Sequence, residues 1–97
     1  MHIHIALLQW KDGVDRARVE EVFDYLRGVT DKVEGIEAIY CGANTNEEWS
    51  KGYTDAVVVV AQSAQDIQAY LTHELHDRAV DILKEIQFDG LGADFVD

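Results

Sequence analysis

Histidines and one tyrosine are the side chains of this sequence best suited to acid–base chemistry. His76 lies on a stretch of helical periodicity and is followed by Ala79 and Val80 at the i+3 and i+4 positions, so it falls at the border of an apolar face. A half-buried imidazole tends to be neutral and can accept a proton near pH 7. The hydroxyl of Tyr70, one helix earlier, can donate a hydrogen bond to an oxygen that gains negative charge.

A base and a hydroxyl donor beside an apolar pocket would suit enolate chemistry. One group removes a proton next to a carbonyl, and the other holds the resulting oxyanion. The alternative for His76 is structural, since a histidine that borders a core is commonly hydrogen-bonded into it. His4 also has two interpretations, because it lies on an inward face of the first predicted strand: a buried structural histidine or a pocket histidine.

Other polar residues raise further chemical possibilities. His2 with His4, and His73 with His76, share a face of their elements and could bind zinc, but no cysteine pair or His-Glu-x-x-His pattern accompanies them. We therefore expect no metal and no other cofactor. Cys41 has no basic neighbour that would lower its thiol pKa, so it is expected to be a small core residue.

Two carboxylates, Asp55 and Asp77, lie near these candidate residues in the sequence. Asp55 comes early in the third predicted strand, where it could pair across strands or with a nearby base. Asp77 follows His73 by four residues and could form a helix-surface pair. For both, the simpler expectation is a solvated carboxylate.

The elements that must position these residues follow the order strand, helix, strand, strand, helix, helix, strand. Asp15 and Ser63 are the expected N-caps of the first two helices. This order favours a single α+β domain over residues 1–97, with a mainly antiparallel sheet and helices on one face. The predicted strands cover residues 2–10, 36–42, 53 through the valines 57–60, and 91–96. The first predicted helix runs from 15 to about 33, the second follows Ser63, and the third extends to about Phe88 and is ended by Gly90 and Gly92.

The first and third strands are apolar on both faces. Val57–Val60 is a run of four β-branched residues, which cannot alternate between a dry and a wet environment. Helices can cover only one side of the sheet, and the sequence contains no further helix for the other side. A second copy of the chain is the simplest cover, so the sequence predicts a homodimer formed through the sheet face.

Charge and composition exclude several classes of function. The 97 residues carry 8 basic and 19 acidic side chains, for a net charge of −11, and the basic residues are scattered from Lys11 to Lys84. Nucleic acids and anionic membranes are therefore not expected partners. A single cysteine and the lack of a signal-like N-terminus or long apolar run favour a cytoplasmic protein.

Several blocks of the sequence, taken together, resemble the stress-responsive dimeric α/β-barrel (Dabb) domains. The blocks are His4–Lys11, Gly52–Val57 and Tyr70–His76, and Asp94-Phe95 lies where that family ends its last strand. The resemblance covers essentially the whole chain. It implies a ferredoxin-like protomer whose sheet joins that of a second copy to form a barrel.

The resemblance also implies a range of functions. The first is a stress-responsive domain that binds a small hydrophobic molecule in a pocket between sheet and helices, and a weaker alternative is a monooxygenase of the wider superfamily. A second alternative follows from an enzymatic branch that closes a linear polyketide by an intramolecular aldol reaction; there His76 would be the base and Tyr70 the hydroxyl partner. The residues that would then line the substrate pocket are His4, Ala6, Leu8, Val22, Phe23, Leu26, Val57 and His73.

One position departs from the family pattern. Glu74 stands between the two histidines, where the family commonly has proline. The break before the last helix, and with it the placement of His73 and His76, depends on what replaces that proline. The added carboxylate is also expected to raise the pKa of a neighbouring histidine.

Overall fold

The fold is a four-stranded antiparallel sheet with three α-helices, seen in a computed structural model that describes residues 1–97. The strand order β2-β3-β1-β4 is that of a ferredoxin-like domain, which confirms the predicted α+β class. No helix exceeds 13 residues, and none is long and apolar enough to cross a lipid bilayer. The elements are β1 (His2–Trp10), α1 (Arg16–Gly28), a 3₁₀ turn (Val29–Asp31), β2 (Ile36–Ala43), β3 (Asp55–Ala61), α2 (Ala64–Leu71), α3 (Glu74–Ile86) and β4 (Gln87–Val96).

The first two helices begin at the predicted caps. The Asp15 carboxylate accepts a hydrogen bond from the Ala17 N–H at 2.9 Å, and the Ser63 hydroxyl accepts one from the Asp66 N–H at 3.2 Å. The α1 helix ends earlier than predicted, at Gly28, and the chain continues as the 3₁₀ turn. The fully buried Val29 lies in that turn, which explains why the apolar periodicity runs past the end of the helix.

The last strand is longer than the sequence predicted. The α3 helix ends at Ile86, and β4 begins at Gln87 and pairs with β1 as far as Val96. The prediction that Gly90 and Gly92 end the helix was wrong, because both glycines lie within this ladder. Glycine weakens a strand interior but can still form ladder hydrogen bonds, and β4 is an edge strand whose side chains are mostly exposed.

Burial alternates along the central strands. In β3 the side chains of Val57, Val59 and Ala61 are buried, whereas Val58 and Val60 are half-buried. The register places the even-numbered residues of β1, from His2 to Leu8, on the same face as the buried side chains of β3. We call this the front face; the helices cover it, and the core lies between it and α1 and α3.

The opposite surface, the back face, is apolar and uncovered. The middle of this face carries no charged side chain, and its larger members Tyr40, Leu91 and Phe95 are more than half exposed. A single chain therefore leaves an apolar surface exposed to solvent, as the sequence predicted. By strand register the back face consists of Ile3, Ile5, Leu7, Ala38, Tyr40, Ala56, Val58, Val60, Leu91, Ala93 and Phe95.

Candidate functional site

Three elements bring His4, Tyr70 and His76 into one row. His4 lies on the front face of β1, Tyr70 in the last turn of α2 and His76 in the first turn of α3. The ring centroids of His4 and Tyr70 are 5.9 Å apart, and those of Tyr70 and His76 are 4.9 Å apart with the rings edge to face. The structure thus places the proposed base beside the proposed hydroxyl donor.

The break between α2 and α3 forms without proline. Residue His73 has extended backbone angles and caps α3, since its Nδ1 accepts a hydrogen bond from the Leu75 N–H at 3.0 Å. Glu74 is the first residue of α3, a position where proline is favoured and where an acidic side chain interacts well with the helix dipole. The His73 side chain therefore faces the helix backbone, and it is not a member of the row.

Burial holds His76 in its neutral form. Desolvation lowers the pKa of His76 below its ordinary value of 6.5, the nearby Asp77 opposes this, and the charge of His4 adds to it. The expectation that Glu74 raises a histidine pKa is not met at His76, because the Glu74 carboxylate contacts Arg78 at 3.3 Å. A neutral imidazole at pH 7 has a lone pair that can accept a proton.

Burial also keeps Tyr70 protonated. Its side chain is only 2% exposed, and desolvation, with a smaller contribution from Cys41, raises its pKa well above the ordinary value. None of the side-chain hydrogen bonds in the protein involves the Tyr70 hydroxyl or the His76 imidazole. The structural alternative for His76, a ring hydrogen-bonded into the core, is thus absent, and neither polar group is taken up by a side-chain hydrogen bond within the protein.

The thiol of Cys41 is not suited to acid–base chemistry at neutral pH. Burial raises the pKa of Cys41 to about 11, so the thiol stays protonated at neutral pH. The half-buried Cys41 packs against the hydrophobic core, as the sequence predicted.

An aspartate that sequence reasoning did not select completes one end of the row. Asp94 lies opposite His4 in the β1–β4 ladder, and its Oδ1 is 2.5 Å from the His4 Nδ1. The contact fixes the orientation of the His4 ring, whose other nitrogen remains free. The signal that would have revealed the pair is the register of two strands separated by most of the chain.

The expected pocket walls form the core of the domain. Leu8, Val22, Phe23, Leu26 and Val57 are each 5% exposed or less, and Ala6 packs against them. These side chains fill the space between the sheet and α1, where a cavity was expected, because aliphatic groups facing each other across that gap exclude water when they pack together.

A cavity adjoins the row at the end of the sheet. It has a volume of about 290 Å³ and lies between α2 and the ends of β1 and β4, and we call it the α2 cavity. Its apolar walls include Ile67 and Leu71, which flank Tyr70 on α2, and Phe95. Asp94, the partner of His4, also lines it.

Asp55 corrects one expectation about the carboxylates. The sequence suggested a solvated side chain, but Asp55 is 1% exposed and contacts Trp10 and Arg16. The contact with Arg16 corresponds to the alternative expectation, in which Asp55 pairs with a nearby base. Asp77 is exposed, as expected. Elsewhere, no three histidine, cysteine or acidic side chains cluster closely enough to hold a metal ion.

Comparison with known proteins identifies the family. Residues 3–97 match the stress responsive A/B barrel domain, known as Dabb. The chain belongs to this family. The resemblance carried by the three sequence blocks is therefore confirmed, and the match extends over nearly the full length of the chain.

Two plant proteins are similar to this chain in sequence. Olivetolic acid cyclase from Cannabis sativa is 30% identical over 74 residues, which cover 75% of this chain and 73% of the cyclase. The stress-response A/B barrel domain-containing protein HS1 from Arabidopsis thaliana is 26% identical over 74 residues, covering 75% of this chain and 68% of HS1.

A solved structure shows the same fold. A dimeric ferredoxin-like protein of unknown function from Jannaschia superposes with a TM-score of 0.89 at 21% identity, covering 99% of this chain and 98% of that one. Structural relatives of this Dabb domain are thus described as dimers, which agrees with the uncovered back face.

Proposed function

We propose that this Dabb protein is a homodimeric, cofactor-free enzyme that binds a small hydrophobic carbonyl compound and performs cyclase-type enolate chemistry on it. The observation that carries the proposal is the edge-to-face contact of Tyr70 and His76, whose polar ends have no internal hydrogen-bond partner. The similarity to a protein named as a cyclase supports the same class of reaction.

The reaction needs only these two groups. The neutral His76 imidazole takes a proton from the carbon next to a carbonyl, and the C–H electron pair moves into an enolate whose oxygen accepts a hydrogen bond from the Tyr70 hydroxyl. The enolate carbon then attacks a second carbonyl of the same molecule and closes a ring. The alkoxide formed there takes the proton back from the imidazolium, so the enzyme is restored without a co-reactant.

The α2 cavity supplies the binding site in this proposal. Its apolar walls suit a hydrocarbon portion of the substrate, and Ile67 and Leu71 hold that portion next to Tyr70. Asp94 lines the cavity and contacts His4, whose ring adjoins that of Tyr70, so a carbonyl that follows the hydrocarbon portion would extend along this pair toward Tyr70 and His76.

Ring closure tests the catalytic part of the proposal. A linear β-polyketone with an alkyl tail is incubated with the protein, and the cyclic product is followed by mass spectrometry. The variant His76→Ala abolishes ring closure, whereas Asp81→Ala, which removes an exposed side chain of the same helix outside the row and the α2 cavity, leaves it unchanged. Turnover retained in His76→Ala contradicts the assignment, and polyketone binding without ring closure in the wild type overturns catalysis and leaves a binding protein.

The back face supports the homodimer. Val58 lies at its centre, between Ile5 of β1 and Tyr40 of β2. Light scattering should show a dimer for the wild type and a monomer for Val58→Lys, because the ammonium would be buried against an apolar surface. The matched control is Gln65→Lys, on the exposed side of α2. A monomeric wild type at micromolar concentration contradicts the homodimer.

A further inference from the structure

A second cavity lies at the opposite end of β1 from the catalytic row. It has a volume of about 470 Å³ and is bounded by the end of β1, the start of α1 and the loop between β2 and β3. Six strand positions separate Trp10, in its wall, from His4, a span of about 20 Å. We call it the Asp55 cavity; the lining residues that matter below are Trp10, Arg16, Glu47, Tyr53 and Asp55.

A buried carboxylate with one incompletely satisfied oxygen lines this cavity. Asp55 is 1% exposed, and its Oδ1 accepts a hydrogen bond from the Trp10 Nε1 at 2.7 Å. Its Oδ2 is also buried but has no well-aligned donor. The Arg16 Nη1 lies 2.7 Å from Oδ2 and forms an ion pair whose N–H bonds point away from the best direction. Buried carboxylate oxygens are normally hydrogen-bonded, and the only cation that compensates Oδ2 is Arg16.

Arg16 is a replaceable partner of Asp55. Its side chain is 47% exposed, and its other guanidinium nitrogen lies 3.2 Å from a carboxylate oxygen of Glu20. The guanidinium also lies over the Phe23 ring, 5.8 Å from its centre. Arg16 can therefore leave Asp55 and keep both an ion pair and its aromatic contact. A competing donor could then reach Oδ2.

The charges around the cavity favour a cation as that donor. Asp55 and Glu47 are acidic and only Arg16 is basic, and the whole chain has a net charge of −11. This field attracts cations and repels anions. The rings of Trp10 and Tyr53 in the wall add faces against which a cation or a flat organic group can pack.

We propose that the Asp55 cavity binds a small organic cation, a primary ammonium on a flat or aromatic body, whose ammonium replaces Arg16 at Asp55 Oδ2. The released guanidinium stays on Glu20 and forms one edge of the occupied site. The proposal is independent of the enolate chemistry, since it uses neither Tyr70 nor His76.

A tryptophan reporter tests the charge preference. Trp49 is 79% exposed and outside the cavity wall, so Trp49→Phe leaves Trp10 as the single indole of the protein. At pH 7 this variant is titrated with benzylamine, benzyl alcohol and benzoate, which share a ring and differ in charge. Benzylamine should change the Trp10 emission in a saturable way, and the other two should bind about tenfold more weakly. Equal affinity for all three overturns the proposal.

Two substitutions in this background then assign the contacts. Asp55→Asn should weaken benzylamine binding about tenfold, because the charge that recognises the ammonium is lost, whereas Glu48→Gln in the same loop region should not change it. Arg16→Gln should tighten binding, because the competing cation is removed. If Asp55→Asn does not fold, Arg16→Gln still decides: weaker benzylamine binding in that variant shows that Arg16 holds the ligand, and overturns the proposal.

Discussion

The two ends of the front face solve the problem of burying polar groups in opposite ways. At the end with Tyr70 and His76, desolvation moves both pKa values so that each side chain is neutral at pH 7. At the other end, the Asp55 carboxylate accepts a hydrogen bond from an indole N–H on one oxygen and forms an ion pair with a guanidinium on the other. One end is thus suited to moving protons, and the other to holding a positive charge.

The difference follows from the partners that each element can supply. The row is formed by α2, α3 and β1, which present mostly aromatic and aliphatic side chains toward it. Asp55 lies at the first position of β3, an inner strand, and Arg16 at the start of α1 forms an ion pair with it there. A buried group loses its charge where no partner is near, and keeps it where one is.

The largest expected effects are losses of activity that stay confined to one end of the front face, either the row or the Asp55 cavity. His76→Ala should reduce ring closure about a hundredfold or more, the usual loss when a general base is removed, and leave benzylamine binding intact. Asp55→Asn should weaken benzylamine binding and leave ring closure intact. Both activities are measured on the same preparations, and a loss of both in either variant would contradict the separation.

A stability measurement should show how strongly Asp55 depends on its partners. Asp55→Ala is expected to lower the free energy of unfolding by about 2 kcal/mol, because the half-buried Trp10 N–H loses its acceptor and Arg16 its ion pair. Asp81→Ala, which removes an exposed carboxylate on α3, serves as the control and should change stability little. Urea unfolding measures the free energy of unfolding of both variants. Equal losses in the two would show that the buried contacts of Asp55 do not contribute to stability.

The buried His76 predicts that the stability of the protein depends on pH. The pKa of His76 is lower in the folded protein than in the unfolded chain, so the unfolded state binds more protons as the pH falls through 6.5. Stability contributed by neutral His76 is therefore present above that pH and is lost on acidification toward the folded-state pKa. The urea midpoint should fall further between pH 7.5 and 5.5 in the wild type than in His76→Gln, which cannot titrate. Identical pH dependences would refute desolvation at His76.

The smallest expected effect concerns the third histidine near the row. His73→Ala should destabilise the protein by about 1 kcal/mol, because the Leu75 N–H at the start of α3 loses its cap. Serine, a favourable cap, should restore most of this stability in His73→Ser, while ring closure is largely kept in both variants. A loss of ring closure in stable His73→Ser would instead place His73 in the binding site.

Features that depend on neighbouring residues were predicted well from the sequence. The caps Asp15 and Ser63 and the helical periods reflect contacts within one or two turns, and the structure has them. Predictions based on glycine alone failed at Gly90 and Gly92. A glycine that ends a helix and one that lies in an edge strand look the same until the pairing partner is known.

The candidate site was predictable only in part. His76 and Tyr70 were selected because of their residue types and the family resemblance, and the structure brings them into contact. The role of His73 as a cap was missed, although an extended residue before a helix is a local feature. The burial of Asp55 and its contact with Arg16 could not be inferred, since 39 residues separate them in the sequence.

By itself, the sequence determined the order of the elements, the apolar back face and the identities of the groups able to transfer protons. These follow from periodicity and residue type, which act over short stretches of chain. Only the tertiary structure decided which carboxylate is buried, which histidine meets Tyr70 and which aspartate meets His4. Such pairings depend on strand register and helix packing, where a shift of one residue would turn each side chain to the opposite face.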